Sequence, residues 1–227
     1  MTTSDRPLVV LLHGLARGHG SMAHLGRVLR AAGHDTVSRT YPSRRHSLGY
    51  LAGEVAEWIV AEAAGRAVSA VTHSMGGVIV RHLRDPRIQW QRIVMLAPPN
   101  QGSQLAAALV RNPVFRWYYG PAGAELASGA TWPAPPAPFA VIAGTRALAL
   151  SNPTSWTFGR RFGRATPNDG TVAVAETRLA GMAAYAEVDA THTWIMNDPE
   201  VHRLVLAYLR DGAFPDARGD RTSAPPA

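Results

Sequence analysis

The stretch from Ala67 to Gly77, Ala-Val-Ser-Ala-Val-Thr-His-Ser-Met-Gly-Gly, constrains the fold more than any other part of this chain. The apolar, β-branched run Val68 to Val71 reads as a strand. It breaks at Thr72-His73-Ser74-Met75-Gly76, and Val78-Ile79-Val80-Arg81-His82-Leu83 then follows a helical pattern. A strand that turns at once into a helix strains the residue at its apex. Here that residue is Ser74, with its Oγ lifted above the sheet edge and the first N–H groups of the helix aimed at whatever it attacks. Small residues are needed on both sides of such a turn. Gly76 meets the requirement, whereas Thr72 stands where glycine is usual.

Around this turn, strand and helix patterns alternate. Leu8 to Leu12 is a continuous apolar run of the kind buried on both faces of a parallel sheet, and it ends in His13-Gly14-Leu15. Met22 to Ala32 carries apolar residues at helical spacing, with Ser21 as a cap and Gly33 as a stop. Asp35 to Tyr41 reads as a second strand, and Leu48 to Ala64 as an amphipathic helix ended by Gly65. Arg92 to Leu96, Phe139 to Ala143 and Tyr185 to Asp189 supply the fourth, fifth and sixth strands. Asp198-Pro199 opens a last helix that runs to about Arg210.

Between the fourth and fifth strands lies an insertion, about 104–138. It begins helically, degenerates at Trp117-Tyr118-Tyr119-Gly120-Pro121 and ends in the proline-rich Trp132 to Pro138. A further irregular piece, Thr145 to Pro167, holds Trp156, Phe158 and Phe162 among arginines. Residues 1–215 read as one domain with a well-filled core, and the polar, proline-rich residues 216–227 as a disordered tail. The alternation implies a parallel sheet with right-handed crossovers and helices on both faces.

Five motifs in order make the sequence resemble the α/β-hydrolase superfamily, and within it the bacterial lipases and esterases. They are Leu11-Leu12-His13-Gly14-Leu15, the serine turn, Ala97-Pro98-Pro99-Asn100-Gln101-Gly102-Ser103, Asn168-Asp169-Gly170-Thr171-Val172 and His192-Thr193-Trp194. The resemblance spans Leu8 to about Phe214. It implies a three-layer fold around a mostly parallel six-stranded sheet, with the first strand between the second and third. A crevice then opens at the carboxyl ends of the strands, beside His13-Gly14-Leu15 and Ser74.

A serine hydroxyl needs a base to act as a nucleophile near neutral pH, and the base needs a carboxylate to hold its tautomer. In the superfamily's chain order these are Ser74, Asp169 and His192. The resemblance also implies that the backbone N–H groups of Leu15 and Met75 form an oxyanion hole. Gly14 would let the backbone approach the substrate, His13 would orient that loop, and Gly76 would support the turn. The expected activity is hydrolysis of small-molecule or lipid carboxylic esters through an acyl-enzyme, with no metal or organic cofactor. The aromatic part of the insertion, Phe115 to Trp132, is either a lid-like acyl-binding wall over Ser74 or ordinary loop packing.

Several competing readings arise. Asp169 is also suited to a plain turn in Pro167-Asn168-Asp169-Gly170, and His192 to a surface or capping role. Asp189, Asp198 and Glu176 are rival acids, although Asp198 has a cap to make and Asp189 ends a strand. His73 reads as a packing or hydrogen-bonding neighbour, and Ser103 as a helix cap. A thioesterase or acyltransferase would use the same three residues, and a non-catalytic binding protein could share the scaffold. Gly18-His19-Gly20-Ser21-Met22-Ala23 has a dinucleotide-binding form but sits too far beyond the first strand to begin its turn.

Composition closes other routes. The chain has no cysteine, which excludes disulfides, thiolate metal sites and a cysteine nucleophile. It has a formal charge of +7 yet no lysine, which excludes a P-loop and a pyridoxal Schiff base. The arginines are scattered apart from Arg44-Arg45 and Arg160-Arg161, and no nucleic-acid-binding motif accompanies them. They read as GC-rich codon usage rather than as a nucleic-acid surface. No stretch is long enough to span a bilayer, so membrane contact is expected to be at most transient. The first strand begins by Leu8, which leaves no room within this numbering for a leader, and the expected location is cytoplasmic unless a leader was removed before the numbering starts.

Overall fold

The computed structural model describes residues 6–129, 131–147 and 166–215. The expected disordered tail, and Trp156, Phe158, Phe162 and Arg160-Arg161, lie outside the described residues. Six strands form one sheet: β1 (Leu8–Leu12), β2 (Asp35–Val37), β3 (Ala67–His73), β4 (Gln89–Leu96), β5 (Phe139–Gly144) and β6 (Ala184–Val188). Their order is β2-β1-β3-β4-β5-β6, and every neighbouring pair is parallel. As expected, β1 lies between β2 and β3, so the crossovers diverge on either side of it and leave a crevice at the carboxyl ends.

The unbroken apolar run of β1 is explained by burial on both faces. Leu8, Val10 and Leu12 join one core cluster, and Val9 and Leu11 the other. On the first face pack α2 (Leu48–Ala63), through Leu51, Val55 and Ile59, and α3 (Met75–His82), through Val78 and Ile79. On the opposite face lie α1 (Ala23–Ala31), through Leu25 and Leu29, and the last helix, Pro199–Asp211, through Val201, Leu204, Val205 and Tyr208. Each fully buried aliphatic side chain stabilises the fold by about 1.5–3 kcal/mol, so the two clusters hold the strand ends in fixed positions.

Local signals set the helix ends. The Ser47 hydroxyl accepts from Tyr50 N at the start of α2, and Asp198 accepts from Glu200 N at the start of the last helix. The cap of α2 is Ala64 in the left-handed region (φ 48°), one residue before Gly65, where the sequence places the stop. Two other expectations are corrected. β2 ends at Val37 rather than Tyr41. Past that point the Ser38 hydroxyl donates to Leu11 O in place of a ladder bond, and Tyr41 turns inward to stack on His13. The insertion is more helical than expected on either side of its break. It forms α4 (Gln104–Leu109) and α5 (Pro113–Glu125), and α5 is two helical pieces that meet at a non-helical Gly120 (φ 67°, ψ −164°) before Pro121, within the stretch where the sequence loses its helical pattern. Among the described residues, no helix is long and apolar enough to cross a membrane.

Candidate active site

Ser74 stands between β3 and α3 with φ 52° and ψ −121°. A non-glycine residue holds such a conformation only when its surroundings impose it. Two bonds do so: Ser74 N donates to Leu96 O at 2.8 Å, and Gly77 N donates to Ser74 O at 2.9 Å. A Cβ on Gly76 would stand 2.7 Å from Leu12 O, so α3 can approach β1 only with glycine there. The unusual Thr72 is accommodated by a neighbour that the motif does not feature. A Cβ on Gly77 would lie 3.3 Å from Thr72 Oγ1 and 3.0 Å from Pro98 Cβ, so Gly77 leaves the space that Thr72 fills.

From the loop after β6, His192 reaches Ser74: its Nε2 lies 3.0 Å from Ser74 Oγ, and its Nδ1 lies 2.7 Å from Asp169 Oδ2. A carboxylate only accepts, so Nδ1 carries the proton and Nε2 is free to accept from the serine hydroxyl. Asp169 is buried, and its other oxygen accepts from Thr171 N at 3.0 Å and Val172 N at 2.8 Å. His192 N also donates to Asp169 O at 2.9 Å. These two loops meet because β5 ends in glycine. A Cβ on Gly144 would stand 2.6 Å from Ala190 O and 2.9 Å from Asp169 Cβ.

The loop after β1 forms the facing wall. His13 is buried, donates from Nδ1 to Gly14 O at 2.8 Å, and accepts at Nε2 from Tyr41 N at 3.3 Å. Its ring stacks on Tyr41 at 3.9 Å, and the Tyr41 hydroxyl donates to His13 O. Desolvation lowers the His13 pKa to about 4, so it is a neutral strut near neutral pH. A Cβ on Gly14 would collide with His73 Nδ1 at 2.9 Å. Among the described residues, the N–H groups of Leu15 and Met75 donate to no protein acceptor. The Met75 side chain itself is buried in the core beneath the turn.

The rival residues are engaged elsewhere. Asp198 caps the last helix, Asp189 pairs with Arg146, and Ser103 caps α4. Glu176 accepts from Gln104 N at 2.7 Å and Ala173 N at 2.9 Å, tying the Asp169 loop to the start of α4. His73 is fully enclosed, and its Nε2 donates to His192 O at 2.9 Å; burial holds its pKa well below the ordinary imidazole value. The role of Gly144, the His73 bond and the Arg17 bond from Nη1 to Thr193 O at 3.0 Å have no motif that announces them. Only the glycine at a strand end is a local signal.

A cavity of about 260 Å³ opens over Ser74 and His192. Gly14 and Leu15 border it on one side. Leu105, Phe115, Tyr119 and Leu126, all from the insertion, form an apolar wall. The insertion therefore stands over the serine.

No protein-family profile matches the chain, and no curated protein sequence does. Among solved structures it is similar to the mature lipase BlEst2 of Bacillus licheniformis, at 17% identity and a TM-score of 0.70 over 92% of this chain and 93% of that one. A metagenomic carboxyl esterase aligns at 19% identity and a TM-score of 0.64, covering 84% of this chain and 66% of that one. The monoacylglycerol lipase of Paleococcus ferrophilus aligns at 21% identity and a TM-score of 0.55, covering 90% and 95%. What is shared at these identities is architecture. The chain has the α/β-hydrolase fold.

Proposed function

We propose that this protein is a serine hydrolase that cleaves carboxylic esters through an acyl-enzyme on Ser74. The observation that carries the reading is the hydrogen-bond relay from Ser74 Oγ through His192 to Asp169, opening on a cavity with an apolar wall. Ser74 Oγ attacks the ester carbonyl carbon while His192 Nε2 takes its proton. The oxyanion that forms receives the N–H groups of Leu15 and Met75, each donor contributing about 3 kcal/mol to the transition state. As the carbon–oxygen bond breaks, His192 passes its proton to the leaving alcohol. A water then enters, gives its proton to His192 and attacks the acyl carbon; Ser74 recovers the proton and the carboxylic acid departs.

Asp169 keeps Nδ1 protonated and stabilises the imidazolium between the two steps. His73 fixes the backbone of His192 from behind. The apolar wall contributed by the insertion favours acyl chains over polar acids in the same position. The scheme requires no cofactor.

Ser74→Ala should remain folded and lose about 10⁴-fold or more in turnover of p-nitrophenyl esters, together with all labelling by a fluorophosphonate. Retained turnover and labelling in that variant would remove the assignment.

A further inference from the structure

Beside the catalytic cavity lies a second recess of about 420 Å³, bordered by Ala16, Arg17, Ser43, Arg44, Arg45 and Trp117. Ala16 and Arg17 border both spaces, so the two adjoin at the loop after β1. Three arginines border this recess, and no carboxylate does. Seven other arginines of the described chain (Arg39, Arg66, Arg87, Arg146, Arg178, Arg203 and Arg210) sit in ion pairs with carboxylates, while Arg27, Arg30, Arg81, Arg84 and Arg92 bond to neutral acceptors. Among the described residues, Arg17, Arg44 and Arg45 pair with no carboxylate. The recess is therefore cationic and uncompensated.

The geometry is built rather than incidental. Arg17 is half-buried and held by one bond, from Nη1 to Thr193 O at 3.0 Å, which leaves its remaining donors unused by the protein. Desolvation lowers its proton affinity, and no carboxylate offsets that cost. Arg44 donates from Nε to Tyr118 O and stacks over the Tyr118 ring at 4.2 Å, so its side chain is fixed while no protein acceptor among the described residues takes its terminal nitrogens. The 42–45 loop is pinned from below, where Ala16 N donates to Ser43 Oγ at 3.0 Å. It is pinned from the insertion side at Gly120, where a Cβ would stand 1.7 Å from Arg44 O. Two supported guanidinium groups with Arg45 beside them suit an anion with several acceptor oxygens, which is the chemistry of a phosphate.

Position says which end of a substrate carries that phosphate. The leaving oxygen of an ester must lie within reach of His192 Nε2 to take its proton, and Arg17 is bonded to the residue that follows His192. The apolar wall for the acyl chain comes from the insertion, whereas the recess opens past the loop after β1. We infer that the recess is a subsite for a phosphate on the leaving-group side, so that the preferred substrates are acyl esters of phosphorylated alcohols. This inference rests on the reading of Ser74 and His192 as the catalytic pair.

The test compares hexanoyl esters of glycerol and of glycerol phosphate, both kept below the concentration at which they aggregate. It uses the full chain and an Arg44→Gln/Arg45→Gln double variant. The expected result is a kcat/KM ratio favouring the phosphorylated ester by about tenfold or more in the wild type, falling at least about fivefold in the variant and eroding as salt is raised. Calorimetric titration with glycerol phosphate, and with glycerol as control, reads the subsite without turnover. If neither ester is hydrolysed but glycerol phosphate binds and the double variant loses that binding, the subsite stands and the hydrolase reading falls. If the neutral ester is hydrolysed as well as the phosphorylated one, the subsite falls and the hydrolase reading stands. A preference that emerges only once the ester aggregates would assign the arginines to a lipid surface and overturn the subsite. Failure to hydrolyse either ester or to bind glycerol phosphate would overturn both.

Discussion

Thr72 is buried two residues before Ser74, and its hydroxyl finds no partner among the described residues. A buried hydroxyl left unpaired costs about 1–3 kcal/mol, while an isosteric methyl in the same space costs nothing in hydrogen bonding. Thr72→Val should therefore raise stability by about 1 kcal/mol in urea denaturation and leave ester turnover within about twofold of wild type. A loss of stability would reveal a partner for the hydroxyl. Gly77 makes this residue tolerable, and the same substitution of space recurs at Gly144, whose missing Cβ lets the Asp169 and His192 loops touch. The positions of His13, Ser74 and His192 just after strands, and of Asp169 in the Asn168-Asp169-Gly170 turn, were legible because each sits in a motif with fixed local chemistry. The contacts from His73 Nε2 to His192 O and from Arg17 to Thr193 O were not. Each joins loops more than 100 positions apart in the chain, and no local pattern records them.

At the scale of elements, α5 matters most, because it carries the apolar wall and touches the 42–45 loop. Its kink depends on Gly120 at φ 67°, a conformation that an L side chain adopts only under strain, with no room for a Cβ beside Arg44 O. Gly120→Ala should push α5 away from that loop and open the wall around Phe115 and Tyr119. Turnover of octanoyl esters is expected to fall about tenfold, the equivalent of ~1.4 kcal/mol of lost apolar contact, while acetyl esters change by less than about threefold. Equal losses on both esters would mean that the wall does not contact the acyl chain. The central strands β1, β3 and β5 were readable because they are buried on both faces and largely apolar, and the parallel order followed from the alternation with helices. The short β2 was not, because its continuation to Tyr41 has strand composition but its ladder gives way to the inward turn that stacks Tyr41 on His13. The break in α5 was legible, because Gly-Pro ends a helix, but the helical piece that resumes after Pro121 was not; the close approach of the 42–45 loop at Gly120 is a contact between distant parts of the chain.

For the molecule as a whole, the cationic surplus and the enclosed histidines act on stability in the same direction in acid. His13 and His73 are buried neutral struts, with the His13 pKa lowered to about 4 and that of His73 lowered well below the ordinary value, both chiefly by desolvation. His34 and His202 are shifted the same way. In the unfolded chain a histidine binds its proton near pH 6.5. Above that pH both states are neutral and the fold keeps its full stability. Between about 6.5 and 4 the unfolded chain takes up protons that the folded protein refuses, so stability is lost as the pH falls through this window. At about pH 5 the loss is on the order of 2 kcal/mol for His13, with His73 acting in the same direction, added to the self-repulsion of a chain that is already +7. Urea midpoints should therefore drop steeply between about pH 7 and pH 5, well above the range where carboxylates titrate. His13→Asn should be less stable at pH 7, because it loses the Tyr41 stack, yet show a shallower decline, and His73→Asn should do the same through a different loop. Wild-type slopes retained in both variants would place the acid sensitivity elsewhere in the molecule.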